Sequence, residues 1–378
     1  MSLLRNVAAT VATQGLTAPL GLLTQILLAR LLPVAERGHV AIANEVVFLT
    51  VSVIQLGWPQ ATVFRVRNVG TPISVAAAGA VYAGLALAAI AVAAGLSAPS
   101  AWTEQLLAGA PRIVLLIALA TVPFELLGQL ATGVARAADR FDLHNGYPLL
   151  STSLVLGCVS FGLIGLGASA AHAISAQLVG TALAAATILA LVLRASGFSP
   201  RVPAAELRAS LGYGVTGHLQ SVLANAHLRI DVLMLAALLQ DPSAVAVYTI
   251  AATIVNRVRV IPAAIAIAVF PSFAEADASE AARLTARVLR HSTLVVTLSV
   301  LALVPAMIWL VPLLFGTAYE ASVPLALVTL PGATLLSVQA IVGRYFAARN
   351  LQRVNVFCSG LGLALNVIAN SLLIPSLG

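Results

Sequence analysis

Runs of about twenty apolar residues recur along the whole 378-residue chain, and they constrain its fold more than any other feature. A helix of that length crosses a hydrocarbon core of about 30 Å. Only 9% of the residues are charged, whereas roughly a quarter are charged in a soluble domain. Because the bilayer core holds no water, backbone groups there must pair within the helices. The sequence therefore predicts an all-α integral membrane protein.

The apolar runs predict eleven transmembrane helices. They are placed at 7–32, 39–64, 72–96, 112–135, 147–168, 172–193, 210–239, 243–271, 292–315, 321–343 and 354–375. A connecting segment at 195–209, with Pro203 at a favourable helix start, divides them into two lobes. Six spans fall in residues 1–194 and five in residues 210–378. The first run is longer than a signal-peptide core of roughly 7–15 residues, so we interpret it as a retained span.

The arginines predict the orientation of these spans, and the sequence contains no lysine. With the amino terminus inside, fourteen arginines lie in cytoplasmic segments, whereas Arg30, Arg37 and Arg112 lie outside. This asymmetry follows the positive-inside rule and predicts a cytoplasmic amino terminus. It also explains the net charge of +7 without a nucleic-acid partner.

Three groups of short motifs follow one another across nearly the whole chain. The first is LARLLPVAERG at 28–38 with LGWPQATVFR at 56–65; the second is HLRID at 227–231 with Val247, Tyr248, Pro262 and Phe270-Pro271; the third is LFGTAY at 314–319, AARN at 347–350 and LNVIANSLLIP at 365–375. In this order they resemble the Wzx-type polysaccharide flippases, a branch of the multidrug/oligosaccharidyl-lipid/polysaccharide (MOP) flippase superfamily.

The resemblance implies an alternating-access carrier of the bacterial cytoplasmic membrane. Its substrate would be an undecaprenyl-pyrophosphate-linked oligosaccharide, a surface-polysaccharide repeat unit, moved from the inner to the outer leaflet between two lobes. It implies membrane lipid, a polysaccharide polymerase and glycosyltransferases as partners, no cofactor, and coupling to protons or sodium. Two positions depart from the family pattern. The family continues past Ile374-Pro-Ser-Leu-Gly378 into a further helix, so we expect a truncated or divergent chain, and Ala246 replaces a glycine.

Two arginines near the middle of the predicted eighth span are the first candidates for substrate binding. A charge at mid-depth costs roughly 2.5–3.5 kcal/mol on insertion scales, so Arg257 and Arg259 should face a cavity or a partner. A guanidinium presents a fixed fork that suits phosphate. The alternative is a buried ion pair with Glu125 in the fourth span, and the two interpretations are compatible.

The predicted seventh span carries further polar candidates. At 100° per residue, His218, Asn225 and Arg229 share one helical face, and Asp231 falls on another. The sequence leaves open which face lines a cavity. Snorkelling toward the outer headgroups is the alternative interpretation for Asp231.

Two carboxylates are candidates for ion coupling or charge pairing. Glu45 lies in the second span and Glu125 in the fourth, where burial and nearby arginines shift a carboxyl pKa in opposite directions. Either could exchange protons during transport. The alternative for Glu45 is contact with solvent at the outer mouth.

Several classes of function are disfavoured by the sequence. The histidines lack metal-ligand spacing, no phosphate-binding glycine motif is complete, and no catalytic residue is predicted. The alternatives that remain are a lipid II-type flippase and a cation-coupled multidrug antiporter of the same superfamily. A membrane glycosyltransferase or ligase would need clustered acidic residues or a large extramembrane domain, and neither is visible. A membrane scaffold would not explain the charges within the spans.

Overall fold

The computed structural model describes residues 3–259, 262, 265, 266, 269, 273 and 277–377. Within these residues the chain forms helices and no strand. The helices are α1 Leu3–Leu31, α2 Val34–Ile54, α3 Trp58–Phe64, α4 Ile73–Ser97, α5 Ser100–Leu106, α6 Arg112–Ala137, α7 Phe141–Gly165, α8 Ala170–Ser196, α9 Ala204–Leu239, α10 Pro242–Val258, α11 Ala278–Phe315, α12 Ser322–Ala348 and α13 Gln352–Leu377.

Nine helical segments of the described residues are long and apolar enough to cross a membrane. The all-α fold class is thus confirmed, and the chain is a multi-pass membrane protein. The number eleven is not confirmed, because the predicted eighth span at 243–271 extends into positions outside the described residues. Its motif residues Phe270 and Pro271 lie outside them as well. The first predicted span forms the 29-residue helix α1, which is not among the nine.

Five of the described helices have proline as the residue before their first turn. Pro33, Pro72, Pro99, Pro111 and Pro203 directly precede α2, α4, α5, α6 and α9. The first N–H groups of a helix have no partner within it, so the missing N–H of proline costs little there. The helix start predicted at Pro203 is confirmed.

The chain divides into two compact units. Unit 1 comprises Met1–Pro242 with Asn370–Gly378, and unit 2 comprises Ser243–Ala369. This boundary differs from the predicted lobes, 1–194 and 210–378, because α9 packs against α2, α3 and α5 of unit 1. The two predicted lobes stay a prediction.

Helix α6 lies at the centre of unit 1. It packs against α2, α3, α4, α7 and α8. Its side chains Val122, Leu126, Leu130 and Val134 are buried in the main apolar cluster of the unit. Small residues allow close helix contact in membranes. At Gly128 of α6, an added Cβ would collide with the ring of Tyr147.

Unit 2 is built around the consecutive helices α11 and α12, which pack against each other. Phe315 and Tyr319, at the connection between them, are almost completely buried. The hydroxyl of Ser322 donates to the carbonyl of Val247 at 2.7 Å and joins α12 to α10. Asp277 caps α11 by accepting the backbone N–H of Glu280 at 2.8 Å, and this bond lowers the pKa of the Asp277 carboxyl.

Unit 1 contains a close backbone crossing between α9 and the break that separates α2 from α3. Leu56 and Gly57 have φ values of 46° and 66°, in the left-handed region that favours glycine. A Cβ on Gly214 would collide with the carbonyl oxygen of Leu56, and a Cβ on Gly57 would collide with the carbonyl of Gly214. Two glycines therefore let the backbones touch.

Replacement of Gly214 by alanine tests this crossing. The added methyl group has no room, and overpacking of this kind costs about 1–3 kcal/mol. We expect Gly214→Ala to lower the unfolding temperature of the purified protein, measured by tryptophan fluorescence in detergent.

Gly217, three residues further along the exposed side of α9, provides the matched control, since a Cβ added there would meet no heavy atom within 4 Å. Gly217→Ala should leave the unfolding temperature unchanged or raise it, because alanine favours helix by up to about 1 kcal/mol. Equal effects of the two substitutions would contradict a packing role for Gly214.

Candidate functional site

The predicted stripe on α9 faces α2. His218 Nε2 lies 2.7 Å from the carbonyl oxygen of Ser52, and Asn225 Nδ2 donates to Ser52 Oγ at 3.2 Å. One helical turn further, Arg229 Nη1 donates to Glu45 Oε1 at 2.7 Å. The structure thus brings His218, Asn225, Arg229 and Glu45 together in one seam of polar contacts between two helices.

Arg229 and Glu45 form an ion pair at the end of this seam. The Glu45 side chain is only 10% exposed, whereas that of Arg229 is 42% exposed. The guanidinium also lies over the ring of Phe48, with 4.9 Å between its Cζ and the ring centroid. A paired and ring-stacked guanidinium is held more firmly than a surface ion pair. Glu45 is therefore engaged within unit 1 by a charged partner.

Asp231 lies two residues beyond Arg229 on α9 and is half-buried. Its Oδ1 accepts the backbone N–H of Val232 at 3.0 Å. Its charge also acts on Glu45, so a second carboxylate lies near the ion pair. The cluster of Glu45, Arg229 and Asp231 consequently contains two acidic groups and one guanidinium.

A cavity of about 310 Å³ lies inside unit 1 and is lined by α1, α2, α6, α7 and α8. Ten of the sixteen described lining residues are polar, and Glu125 is the charged one among them. Glu125 accepts from the amide of Gln129, one turn further on α6, at 3.0 Å. The remaining amides of the lining belong to Gln25, Asn44 and Gln177.

Sequence reasoning missed most of this lining. It assigned Arg37 to an outside segment and gave it no role, yet the residue lies in the first turn of α2 and is 2% exposed. Its Nη2 donates to Gln25 Oε1 at 2.5 Å, and Gln25 lines the cavity. The available signal was an isolated amide within an apolar run, as at Gln25 and Gln177, because polar groups in spans tend to line cavities.

Arg257 and Arg259 lie at the described end of α10, in unit 2. Arg257 is exposed, and Arg259 Nη1 donates to Asn256 Oδ1 at 3.3 Å. The residues that would extend this span to 271 lie largely outside the described ones. The mid-span position of the two arginines and their contact with substrate stay predictions.

The described part of the chain contains no recognisable metal-binding site. No group of three or more histidine, cysteine, aspartate or glutamate side chains lies close enough together there to hold a metal ion. The described residues of unit 1 form a polar cavity that contains one carboxylate, and a fixed ion pair lies beside this cavity.

Comparison with solved structures identifies the fold. The chain is similar to the lipid II flippase MurJ in an inward closed conformation, with a TM-score of 0.78 and 12% identity over 98% of this chain and 82% of MurJ. It is also similar to the multidrug transporter DinF-BH, with a TM-score of 0.64 and 14% identity over 97% and 93% of the two chains. At these identities the likeness shows the fold alone.

A third structure is an inward-facing MATE family multidrug resistance transporter of the MOP superfamily. Its TM-score is 0.62, with 14% identity over 95% of this chain and 94% of the transporter. This likeness agrees with the fold that the predicted resemblance to the MOP superfamily implies. No curated protein matches the chain in sequence.

The match to a protein family covers most of the sequence. The family described as "Polysaccharide biosynthesis protein" matches residues 3–277, well over half of the chain. This match includes the seam between α2 and α9 and every described residue that lines the cavity. The chain therefore belongs to the polysaccharide biosynthesis protein family and has the fold of the MOP superfamily flippases and transporters.

Proposed function

We propose that this protein moves an undecaprenyl-pyrophosphate-linked oligosaccharide, the repeat unit of a surface polysaccharide, from the inner to the outer leaflet of a bacterial cytoplasmic membrane. The observation that carries the proposal is that the sequence matches the polysaccharide biosynthesis protein family while the fold is similar to that of solved transporters and flippases. The carrier works by alternating access, with its amino terminus in the cytoplasm as the arginine distribution predicts. No enzymatic step is part of the proposal.

A lipid II-type flippase is the second candidate. The observation in its favour is the similarity to MurJ, with a TM-score of 0.78. Lipid II and the proposed substrate share a polyprenyl pyrophosphate and differ in the attached group. A cation-coupled drug antiporter receives less support, because the exposed guanidinium of Arg257 would repel a cationic drug. The family match favours the polysaccharide substrate.

The candidate residues take separate roles in this proposal. Arg257 and Arg259 bind the pyrophosphate, since a guanidinium makes charge-assisted bonds to phosphate oxygens. Glu125 exchanges the coupling proton, because it is the ionisable group among the described lining residues of the cavity. Glu45 and Arg229, with Asp231 beside them, hold α2 against α9 as a charge cluster.

Reconstitution of the purified protein into vesicles tests the substrate. A fluorescent undecaprenyl-pyrophosphate trisaccharide should become accessible to a membrane-impermeant quencher faster than in protein-free vesicles. Equivalent assays with lipid II and with rhodamine 6G provide the comparison. Transport of lipid II without transport of the trisaccharide would replace the proposal with its second candidate, and transport of the dye alone would indicate an antiporter.

Substitution of the arginine pair tests the anion-binding role. The double variant Arg257→Gln, Arg259→Gln should lower the transport rate by at least about tenfold, because each charge-assisted hydrogen bond contributes about 1.5–3 kcal/mol. Variants with lysine at positions 257 and 259 should retain part of the transport rate, since lysine keeps the positive charge but lacks the planar guanidinium that binds phosphate through two hydrogen bonds.

Arg287→Gln is the control for this experiment, because Arg287 is an exposed arginine of α11 in the same unit. Its transport rate should equal that of the unsubstituted protein. Normal transport by the Arg257, Arg259 double variant would exclude a role for the pair in substrate binding.

Charge exchange tests the ion pair between α2 and α9. Arg229→Gln should lower the unfolding temperature strongly, because it leaves the buried carboxylate of Glu45 without its partner, and Glu45→Gln should lower it less, because the Arg229 side chain is 42% exposed. The exchange Glu45→Arg with Arg229→Glu should recover part of that loss, and tryptophan fluorescence in detergent provides the measurement. Arg194→Gln, an exposed arginine at the end of α8, should change nothing. If the unfolding temperature of the exchanged variant falls by the sum of the decreases in the two single variants, the two side chains do not pair in solution.

A further inference from the structure

The described lining of the cavity in unit 1 presents both hydrogen-bond donors and acceptors, and its four amides contribute both. The hydroxyls of Thr24, Thr121 and Thr152 donate to the carbonyls of Leu20, Ile117 and Pro148 in their own helices, at 3.1, 2.9 and 2.8 Å. Because each hydroxyl has a single hydrogen, these three offer only lone pairs to an occupant.

Two further acceptors line the same space. Glu125 contributes carboxylate oxygens, of which one already accepts from Gln129. Gln177 Oε1 is buried and has no hydrogen-bond partner among the described residues. An unpaired buried acceptor costs about 1–3 kcal/mol, so a donor supplied by an occupant would remove that cost.

The condition for an occupant is therefore that it can donate as well as accept hydrogen bonds and carries no negative charge. Phosphate and carboxylate groups fail this condition, because their negative charge would face the Glu125 carboxylate. The hydroxyl groups of a neutral saccharide meet it, since each one donates and also accepts. The side chain of Phe48, which lines the same cavity, offers an apolar face to the C–H side of a sugar ring.

The size of the cavity favours a saccharide over a metal ion as its occupant. Small-molecule pockets occupy roughly 300–1,000 Å³, and the cavity's volume of about 310 Å³ falls at the lower end of that range. A bound ion such as Ca²⁺ contacts its oxygen ligands at about 2.3–2.6 Å and needs far less space. The carboxylate of Glu125 is moreover a single charge among the otherwise neutral groups of the described lining.

We infer that this cavity binds one or two neutral sugar residues of the transported molecule. Gln177 and Glu125 accept hydrogen bonds from the sugar hydroxyls, and Gln129 fixes the orientation of the Glu125 carboxyl. The inference rests on the proposed function, and it makes the cavity a selectivity site that favours neutral over acidic sugars next to Glu125.

Saturation-transfer NMR with the full chain in lipid nanodiscs tests this site directly. The probes are neutral methyl glycosides of glucose, galactose and N-acetylglucosamine, with methyl galacturonoside as the acidic comparison. We expect signals from at least one neutral glycoside and a weaker signal or none from the galacturonoside. Gln177→Leu should weaken binding of the neutral probe by about fivefold, as expected for one lost hydrogen bond. Glu125→Gln should narrow the difference between galactoside and galacturonoside, a readout of charge that a merely structural role would not move.

Two glycines of α1 supply a matched pair of variants. Gly21 lines the cavity, whereas Gly15 is exposed, and an added Cβ meets no heavy atom within 4 Å at either position. Gly21→Leu should fill the cavity and abolish the glycoside signal, and Gly15→Leu should leave it intact at an equal unfolding temperature. Should Gly21→Leu fail to fold, the Gln177→Leu affinity still decides the question.

Three results would overturn the inference. One is the absence of saturation transfer from every neutral glycoside, another is equal binding by the Gly21→Leu variant, and the third is Glu125-dependent binding of ²²Na⁺ without any glycoside signal. The last result would make the cavity a cation site. If the glycoside experiments fail but the protein still transports the lipid-linked trisaccharide, the inference is wrong and the proposed function stands. If the protein does not transport the trisaccharide, the proposed function is wrong as well.

Discussion

A polar side chain within a membrane has no bulk water as a partner, so each one in a span needs another protein group or a cavity. Unit 1 meets this need in two ways. Along the seam between α2 and α9, the polar groups bind one another, as Arg229 binds Glu45. Even so, Glu45 Oε2 and His218 Nδ1 in the seam are buried without a partner among the described residues, as is Gln177 Oε1 in the cavity. The cavity differs from the seam in having space for an occupant that could supply a missing donor.

Helix α2 takes part in both arrangements. Glu45 and Ser52 face α9, whereas Asn44 and Phe48 line the cavity. Phe48 joins the two sides, because the Arg229 guanidinium lies over the same ring that borders the cavity. Arg37 makes a second connection through its bond to Gln25. A group that enters the cavity would therefore contact side chains that also hold the charged residues of α2 and α9.

The proposed substrate has parts of opposite chemistry, and the candidate residues divide in the same way. The pyrophosphate is anionic and suits the guanidinium groups of Arg257 and Arg259 in unit 2. The sugars are rich in hydroxyl groups and suit the acceptors in the cavity of unit 1. A phosphate near Glu125 would be repelled, so a cavity of this kind distinguishes the head group from its charged linker.

The sequence by itself determined the all-α membrane class and the family, because apolar runs of span length and ordered motifs need no tertiary information. It also placed His218, Asn225 and Arg229 on one helical face, which follows from the period of the helix alone. The partner of that face was decided only by tertiary structure, since α2 and α9 meet through residues about 170 positions apart. The polar cavity likewise depends on five helices, and the sequence could indicate Glu125 but not its surroundings. Helix packing decides which side chains line the same cavity. The sequence pattern of a single helix does not show which other helices pack against it.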